Sequence, residues 1–171
     1  MNHQNLRKLV LAALLAALCY VGTVILQIPS PMNGFVNLGD CFVLLSGWTL
    51  GPAWGFAAGG LGSALADLLT GYAHYAPGTF LIKGGMALLA AVLSRSGRGP
   101  VWLRRGISGL AAETLMVAGY FGYACLLLGK GLAAAASIPG NLVQAVFGLT
   151  AGLALQHLLR PERLILPAAH G

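Results

Sequence analysis

The sequence predicts an all-α membrane protein, in which six transmembrane helices form one domain over residues 1–171. Hydrophobic residues make up 57% of the chain and charged residues only 8%, whereas about a quarter of a soluble domain is charged. The few charges stand in short clusters between long apolar runs. Their positions fit an even number of membrane crossings. The apolar runs therefore belong in lipid.

The apolar runs divide into six helices. A helix that crosses a bilayer alone needs ~20 apolar residues, although shorter or tilted helices are accepted inside a bundle. The second helix is short, and Gly51-Pro52 after it is typical of a tight turn. The predicted helices lie near 6–28, 39–51, 53–71, 78–95, 105–129 and 137–160.

The basic residues predict the topology. Lys and Arg in short loops stay on the cytoplasmic side of a membrane. Six crossings place all three basic clusters on that side, whereas five or seven would separate the first cluster from the last. Both termini are therefore expected in the cytoplasm, and the net charge of +6 does not indicate nucleic-acid binding. The clusters are Arg7 and Lys8; Arg95, Arg98, Arg104 and Arg105; and Arg160 and Arg163.

Polar side chains gather near the three external connections, at about 29–38, 71–78 and 130–137. A charge at the centre of a membrane helix costs ~2.5–3.5 kcal/mol, so it usually faces a cavity or a partner. Asp67 and Lys83 both fall within about two helical turns of the external surface, close enough to pair. The predicted cluster is Asn37, Asp40, Asp67, Tyr72, Lys83, Tyr120, Asn141 and Gln144, with His74, Tyr75 and Tyr123 nearby.

Two interpretations of this cluster remain open. Aromatic rings and a few hydrogen-bonding groups in an apolar setting suit a small, flat, polar ligand. Alternatively, Asp67 and Lys83 form a buried ion pair and the tyrosines an interfacial belt. Glu113 is also ambiguous: it caps the floor of such a pocket or pairs with Arg104 or Arg105, and the second arrangement is favoured.

Small residues at helical spacing predict close helix contacts, because packing of small side chains drives association in lipid. The third and sixth helices carry Gly55/Gly59 and Gly148/Gly152. The first carries two overlapping Ala-xxx-Ala pairs on one face, which suit either internal packing or docking of another protein. These four residues are Ala12, Ala13, Ala16 and Ala17.

Catalytic patterns are weak, so no enzyme activity, metal or cofactor is expected. Ser63 and His157 fall on the order of 10 Å apart in depth, too far for a nucleophile and its base. Lys83-Gly and Gly129-Lys130-Gly lack the rest of a phosphate-binding loop. A transporter of this size must use an ion gradient or ATP hydrolysed by other subunits.

The chain resembles the S components of energy-coupling factor (ECF) vitamin transporters, nearest the riboflavin and hydroxymethylpyrimidine branch. The resemblance covers residues 9 to 156, and the Asp67 and Lys83 blocks are its most specific parts. The matching blocks are Asn37-Leu-Gly-Asp40, Leu50-Gly-Pro-Ala-Trp-Gly55, Gly62-Ser-Ala-Leu-Ala-Asp67-Leu-Leu-Thr-Gly-Tyr72, Ala76-Pro-Gly-Thr-Phe-Leu-Ile-Lys83-Gly-Gly, Ala112-Glu113 through Gly119-Tyr120-Phe, and Pro139-Gly-Asn141-Leu-Val-Gln144.

This resemblance implies a multi-pass protein of the bacterial cell membrane that captures a vitamin or precursor from outside: riboflavin, hydroxymethylpyrimidine or pyridoxine. It implies two kinds of partner, a T component and two cytoplasmic ATPase subunits that alone use ATP. It also favours the alanine face of the first helix as the surface for the T component. The alternative is a small gradient-driven carrier or channel that works without ATPases.

Overall fold

The computed structural model describes residues 3–25, 27–30 and 34–159, so Arg160 and Arg163 lie outside the described residues. A π-helical turn at Tyr123–Leu127 and a 3-10 helix at Gly131–Ser137 connect the last two α-helices. The main elements are α1 His3–Ile25, β1 Ile28–Ser30, β2 Gly34–Val36, α2 Gly39–Leu50, α3 Pro52–Leu69, α4 Ala76–Ser96, α5 Val101–Gly122 and α6 Ile138–Leu159.

Helix α2 forms the centre of the bundle. All of its residues except Phe42 are buried, and it packs against α1, α3, α4 and α6. Glycine lets the neighbours come close: a Cβ on Gly47 would lie 2.1 Å from the carbonyl oxygen of Ala87 on α4. One on Gly55 of α3 would lie 2.8 Å from the Cα of Gly47. The second helix is short because it is a core element wrapped by the others.

Helices α1, α4, α5 and α6 have the properties of membrane spans. Four helical stretches are long and apolar enough to cross a bilayer: Gln4–Ile25, Ala76–Ser96, Val101–Leu127 and Gly131–Leu159. Large apolar side chains point outward along them, with Leu126 80% and Leu81 63% exposed. At 12 residues, α2 measures about 18 Å, less than the ~30 Å of a hydrocarbon core. The chain is a multi-pass membrane protein.

The first connection differs from its prediction. The sequence predicts no strand near the connection at 29–38, but β1 and β2 pair as a small antiparallel hairpin, with Ile28 opposite Val36 and Ser30 opposite Gly34. Three-residue strands are too short for an alternating pattern to be recognised in sequence. The six α-helices of the described residues confirm the predicted all-α class, and this hairpin is a small addition to it.

The end of α5 also differs. The sequence predicts a helix to residue 129, whereas regular α-helix ends at Gly122. Beyond the π turn, Gly129 and Gly131 adopt φ angles of 67° and 55°. Glycine reaches this left-handed region without steric cost, so the backbone can turn away before α6 begins.

The bundle has two chemically different ends. One, here called the hairpin end, carries β1–β2, the 70–75 connection and the α5–α6 connection. The other, the arginine end, carries the α2–α3 turn and the 97–100 connection. Gly51 at that turn has φ of 91°, and a Cβ there would lie 2.6 Å from the Arg95 guanidinium.

Candidate functional site

The site centres on a buried ion pair between Asp40 and Lys83. Asp40 stands in the first turn of α2, and Lys83 lies two turns into α4. The Lys83 ammonium donates to Asp40 Oδ1, and the two residues are 0% and 3% exposed. The Lys83–Asp67 ion pair, one of the two interpretations that the sequence left open, is not the pair that forms, because the central position of α2 brings Asp40 to the lysine instead.

Gln144 of α6 satisfies the second oxygen of Asp40. Its Nε2 donates to Asp40 Oδ2 at 2.7 Å. Its Oε1 accepts from the backbone N–H and the Nδ2 of Asn37, at 3.0 and 3.2 Å. Asn37 in turn accepts from the Gly39 N–H at 2.8 Å, which fixes the start of α2. The sequence predicted three of these side chains as site residues along with Lys83, and the structure joins all four.

A second polar group lies beside the first. The Thr79 hydroxyl donates to Asp67 Oδ2, and the Thr79 and Tyr120 hydroxyl oxygens are 3.0 Å apart. A threonine hydroxyl has one proton to donate, so Tyr120 is the donor in that bond. The Lys83 Nζ lies 5.4 Å from the centre of the Tyr120 ring, within cation–π range. Tyr120 therefore links the two groups.

Aromatic side chains form a rim toward the hairpin end. Tyr75 lies 6.4 Å from Tyr120, ring centre to ring centre. Lys130 donates to the Tyr75 hydroxyl at 2.9 Å, and the Tyr123 hydroxyl donates to the His74 carbonyl at 2.9 Å. These bonds tie the 70–75 connection to the α5–α6 connection above the cluster.

Glu113 belongs to this cluster and not to the arginine end. It is 2% exposed, and no amide, hydroxyl, ammonium or guanidinium donor among the described residues reaches either of its buried oxygens. The favoured pairing with Arg104 or Arg105 is wrong. Arg105 lies about 12 Å further along the helix axis, while the Glu113 side chain faces Asp40.

Glycine on α6 allows this approach. A Cβ on Gly148 would lie 2.6 Å from Asp40 Cβ and 2.8 Å from Glu113 Oε1. Any larger residue would push α6 away from both acids. Gly148, one of the glycine pair that the sequence singled out, therefore packs α6 directly over the polar cluster.

Two further predicted residues lie at the edge of the cluster. Asn141 is half-buried, one turn before Gln144 on α6. Tyr72 lies in the 70–75 connection, and its ring faces that of His74 at 6.4 Å. Within residues 3–25, 27–30 and 34–159, no three His, Cys, Asp or Glu side chains are grouped to hold a metal ion.

Sequence reasoning missed Thr79, the link between Asp67 and Tyr120. It precedes Lys83 by four residues, a spacing that places both side chains on one helix face. That signal was available once Lys83 was recognised. The central position of Glu113 had no comparable signal, because the sequence does not show how far α5 is shifted along its axis against α2.

Only part of the alanine face of α1 is buried in the bundle. Ala12 is buried and Ala16 half-buried, whereas Ala13 and Ala17 are exposed. A Cβ on Gly62 of α3 would lie 2.2 Å from the Ala16 carbonyl oxygen. Ala12 and Ala16 therefore face α3, and Ala13 and Ala17 form the outward part of the face.

Comparison with known proteins finds one matching family and two similar proteins. Residues 3–161 match the family described as "ECF-type riboflavin transporter, S component". An uncharacterized protein from Pyrococcus woesei is 36% identical over 143 residues, covering 82% of this chain and 93% of its own. The thiamine precursor transporter HmpT from Lactococcus lactis subsp. cremoris is 29% identical over 161 residues, covering 93% and 91%.

Proposed function

Because the chain belongs to the ECF-type riboflavin transporter S-component family, we propose that the polar cluster at the hairpin end is where it binds its substrate. The family is one of transporters, not enzymes, and the protein is a substrate-specific binding subunit for uptake of a vitamin or vitamin precursor. We place the substrate in the riboflavin, hydroxymethylpyrimidine or pyridoxine class, by analogy with the family and with the thiamine precursor transporter.

One observation carries the proposed site: the buried charged groups of the described helices lie together toward one end of the bundle. Asp40, Lys83 and Glu113 are each at most 3% exposed, and Asp67 is joined to them through Thr79 and Tyr120. Burial of charge in a membrane protein costs free energy. Its concentration at one place supports a binding role, because simple helix packing requires none of these groups.

The residues suggest distinct roles. Asn37 and Gln144 offer amide donors and acceptors for the polar edges of a ring, and Tyr120 offers a face for stacking. Asp40 and Lys83 provide charge of both signs. These two amides and two charged side chains now hydrogen-bond to one another. A ligand would therefore bind by replacing some of these hydrogen bonds with bonds to its own polar groups. Asn141 and Tyr72 would contact the ligand from the edge.

The membrane arrangement follows from the basic clusters. We propose six crossings of a bacterial cell membrane, with both termini and the arginine end in the cytoplasm. The hairpin end then faces outside, where a vitamin arrives. The exposed Ala13 and Ala17 offer α1 to the T component, which two ATPases drive.

Uptake measurements test this assignment and the docking surface together. Cells that express the chain with a T component and its ATPases should accumulate one of the three labelled vitamins. Ala13→Leu should reduce uptake at least several-fold, because the larger side chain prevents close helix contact. Ala118→Leu makes the same change on the exposed side of α5 and should have little effect.

Two results would contradict these proposals. If Ala13→Leu and Ala118→Leu both retain the uptake of the unmodified protein, the exposed alanines of α1 are not the docking surface for the T component. Full uptake by this chain alone in liposomes, without ATPases, would favour the gradient-driven carrier instead.

A further inference from the structure

Glu113 has an unusual position for a carboxyl group in a membrane protein. Only 2% of the residue is exposed, and no amide, hydroxyl or ammonium donor in the described part of the chain reaches either of its oxygens, which lie beside the carboxyl group of Asp40. An unpartnered buried carboxyl is strongly destabilising. Helix packing alone does not require it, since α5 could pack here with an apolar residue such as its neighbours Ala112 and Met116, both 0% exposed.

The surroundings of Glu113 are rich in acceptors and poor in donors. Three carboxyl groups, those of Asp40, Asp67 and Glu113, share the single ammonium of Lys83 within the described cluster. Asp40 already receives Lys83 and Gln144, and Asp67 receives Thr79. The oxygens of Glu113 therefore lack N–H or O–H donors.

From this geometry we propose that Glu113 contacts the substrate directly and selects a ring with an amino group next to a ring nitrogen, as in a 4-aminopyrimidine. The proposal rests on the proposed function and assigns the substrate class of the same site. The two carboxyl oxygens match the two nitrogens of such an edge. The amino group donates to one oxygen of the Glu113 carboxylate, and the basic ring nitrogen, when it carries a proton, donates its N–H to the other oxygen.

The same carboxyl matches the other two ring systems less well. The imide edge of a flavin places a carbonyl on each side of its N–H, so a carboxylate that accepts from the N–H meets acceptor oxygens beside it. The pyridine nitrogen of pyridoxine has carbon atoms on both sides, and no amino donor stands next to it. Glu113 should therefore favour an aminopyrimidine over a flavin or a pyridoxine ring.

Substitution of Glu113 by an apolar residue of similar length gives a sharp test. In full-length protein purified in detergent, Glu113→Met should raise the thermal unfolding temperature, because it removes an unpartnered buried carboxyl. The same variant should bind 4-amino-5-hydroxymethyl-2-methylpyrimidine roughly 10- to 100-fold more weakly by isothermal titration, the range expected for loss of a two-bond contact to a base edge. Glu113→Gln should lose less, since an amide also pairs with this edge.

Ligand variation keeps the result separate from effects on folding. Wild-type protein should prefer the aminopyrimidine to its analogue with oxygen in place of the amino group, and Glu113→Met should show no such preference. If the wild type binds riboflavin or pyridoxine instead, and Glu113→Met binds it equally well, the substrate class is overturned while the transport role stands. If the wild type binds none of the vitamins and supports no uptake, the proposed function and this inference both fail.

Discussion

The charge of Asp40 depends on Lys83 and Gln144, which occupy its two oxygens. Removal of one member of a buried pair leaves the other uncompensated, whereas removal of both does not. The pair should therefore show strong energetic coupling. This property separates a real buried pair from two charges that each reach water.

A double-mutant cycle measures that coupling. Lys83→Met should lower the free energy of unfolding by about 3–5 kcal/mol, because Asp40 loses its cation inside the bundle. Asp40→Asn combined with Lys83→Met should recover most of this loss. Thermal unfolding of the purified variants checks it. If the double variant loses as much free energy of unfolding as Lys83→Met and Asp40→Asn lose when their separate effects are added, the two residues do not interact.

The sequence indicated most of the individual polar residues, because a charge or amide in an apolar run is conspicuous. It did not indicate which ones pair. Asp67 and Lys83 lie on consecutive helices and seemed natural partners, yet Lys83 bonds to Asp40 from a helix earlier in the chain. Partner choice depends on how helices pack, and single-sequence patterns carry little information about that packing.

Helix α6 reaches the cluster through glycine. Gly148 faces Asp40 and Glu113 at distances that exclude a side chain, whereas a Cβ on Gly152 would make ordinary contacts of 3.5 Å with Cys41 and Trp48. The two glycines lie one turn apart on the same helix. Their environments nevertheless differ enough to predict opposite responses to the same substitution.

Alanine at these two positions tests the packing. Gly148→Ala should cost about 1–3 kcal/mol of stability, because the added methyl forces α6 away from the acids, and should weaken substrate binding. Gly152→Ala should leave stability unchanged or raise it by about 0.5–1 kcal/mol, the gain of alanine over glycine inside a helix. Thermal unfolding and titration of both variants provide the comparison. Equal tolerance at the two sites would mean that α6 lies further from the cluster.

At the level of helices and strands, apolar runs and turn residues predicted all six helices to within a few residues at most ends. The exceptions have physical causes. The β-hairpin is built from strands of three residues, and α5 ends early at a π turn followed by glycines with positive φ. Neither feature leaves a periodic signal in the sequence.

The molecule as a whole has three chemically different regions. Its sides are apolar and face lipid, its arginine end carries Arg95, Arg98, Arg104 and Arg105, and its hairpin end covers the polar cluster. The family match accounts for the transport role, and the proposed site would explain how a membrane bundle of 171 residues recognises a polar vitamin. We propose that this cluster, and no other buried polar group of the described residues, binds the substrate.

Two buried glutamines on α6 offer a matched comparison. Gln144 bonds to Asp40 and Asn37 in the cluster, while Gln156 lies about 18 Å further along the helix and is equally buried at 1% exposure. Isothermal titration of purified wild type, Gln144→Met and Gln156→Met with hydroxymethylpyrimidine, riboflavin and pyridoxine measures the difference directly. The wild type should bind one of them. Gln144→Met should bind that compound at least about tenfold more weakly, because a hydrogen bond to a charged network is lost. Gln156→Met should bind it with the same affinity as the wild type. Equal affinities for the two variants would contradict the placement of the site.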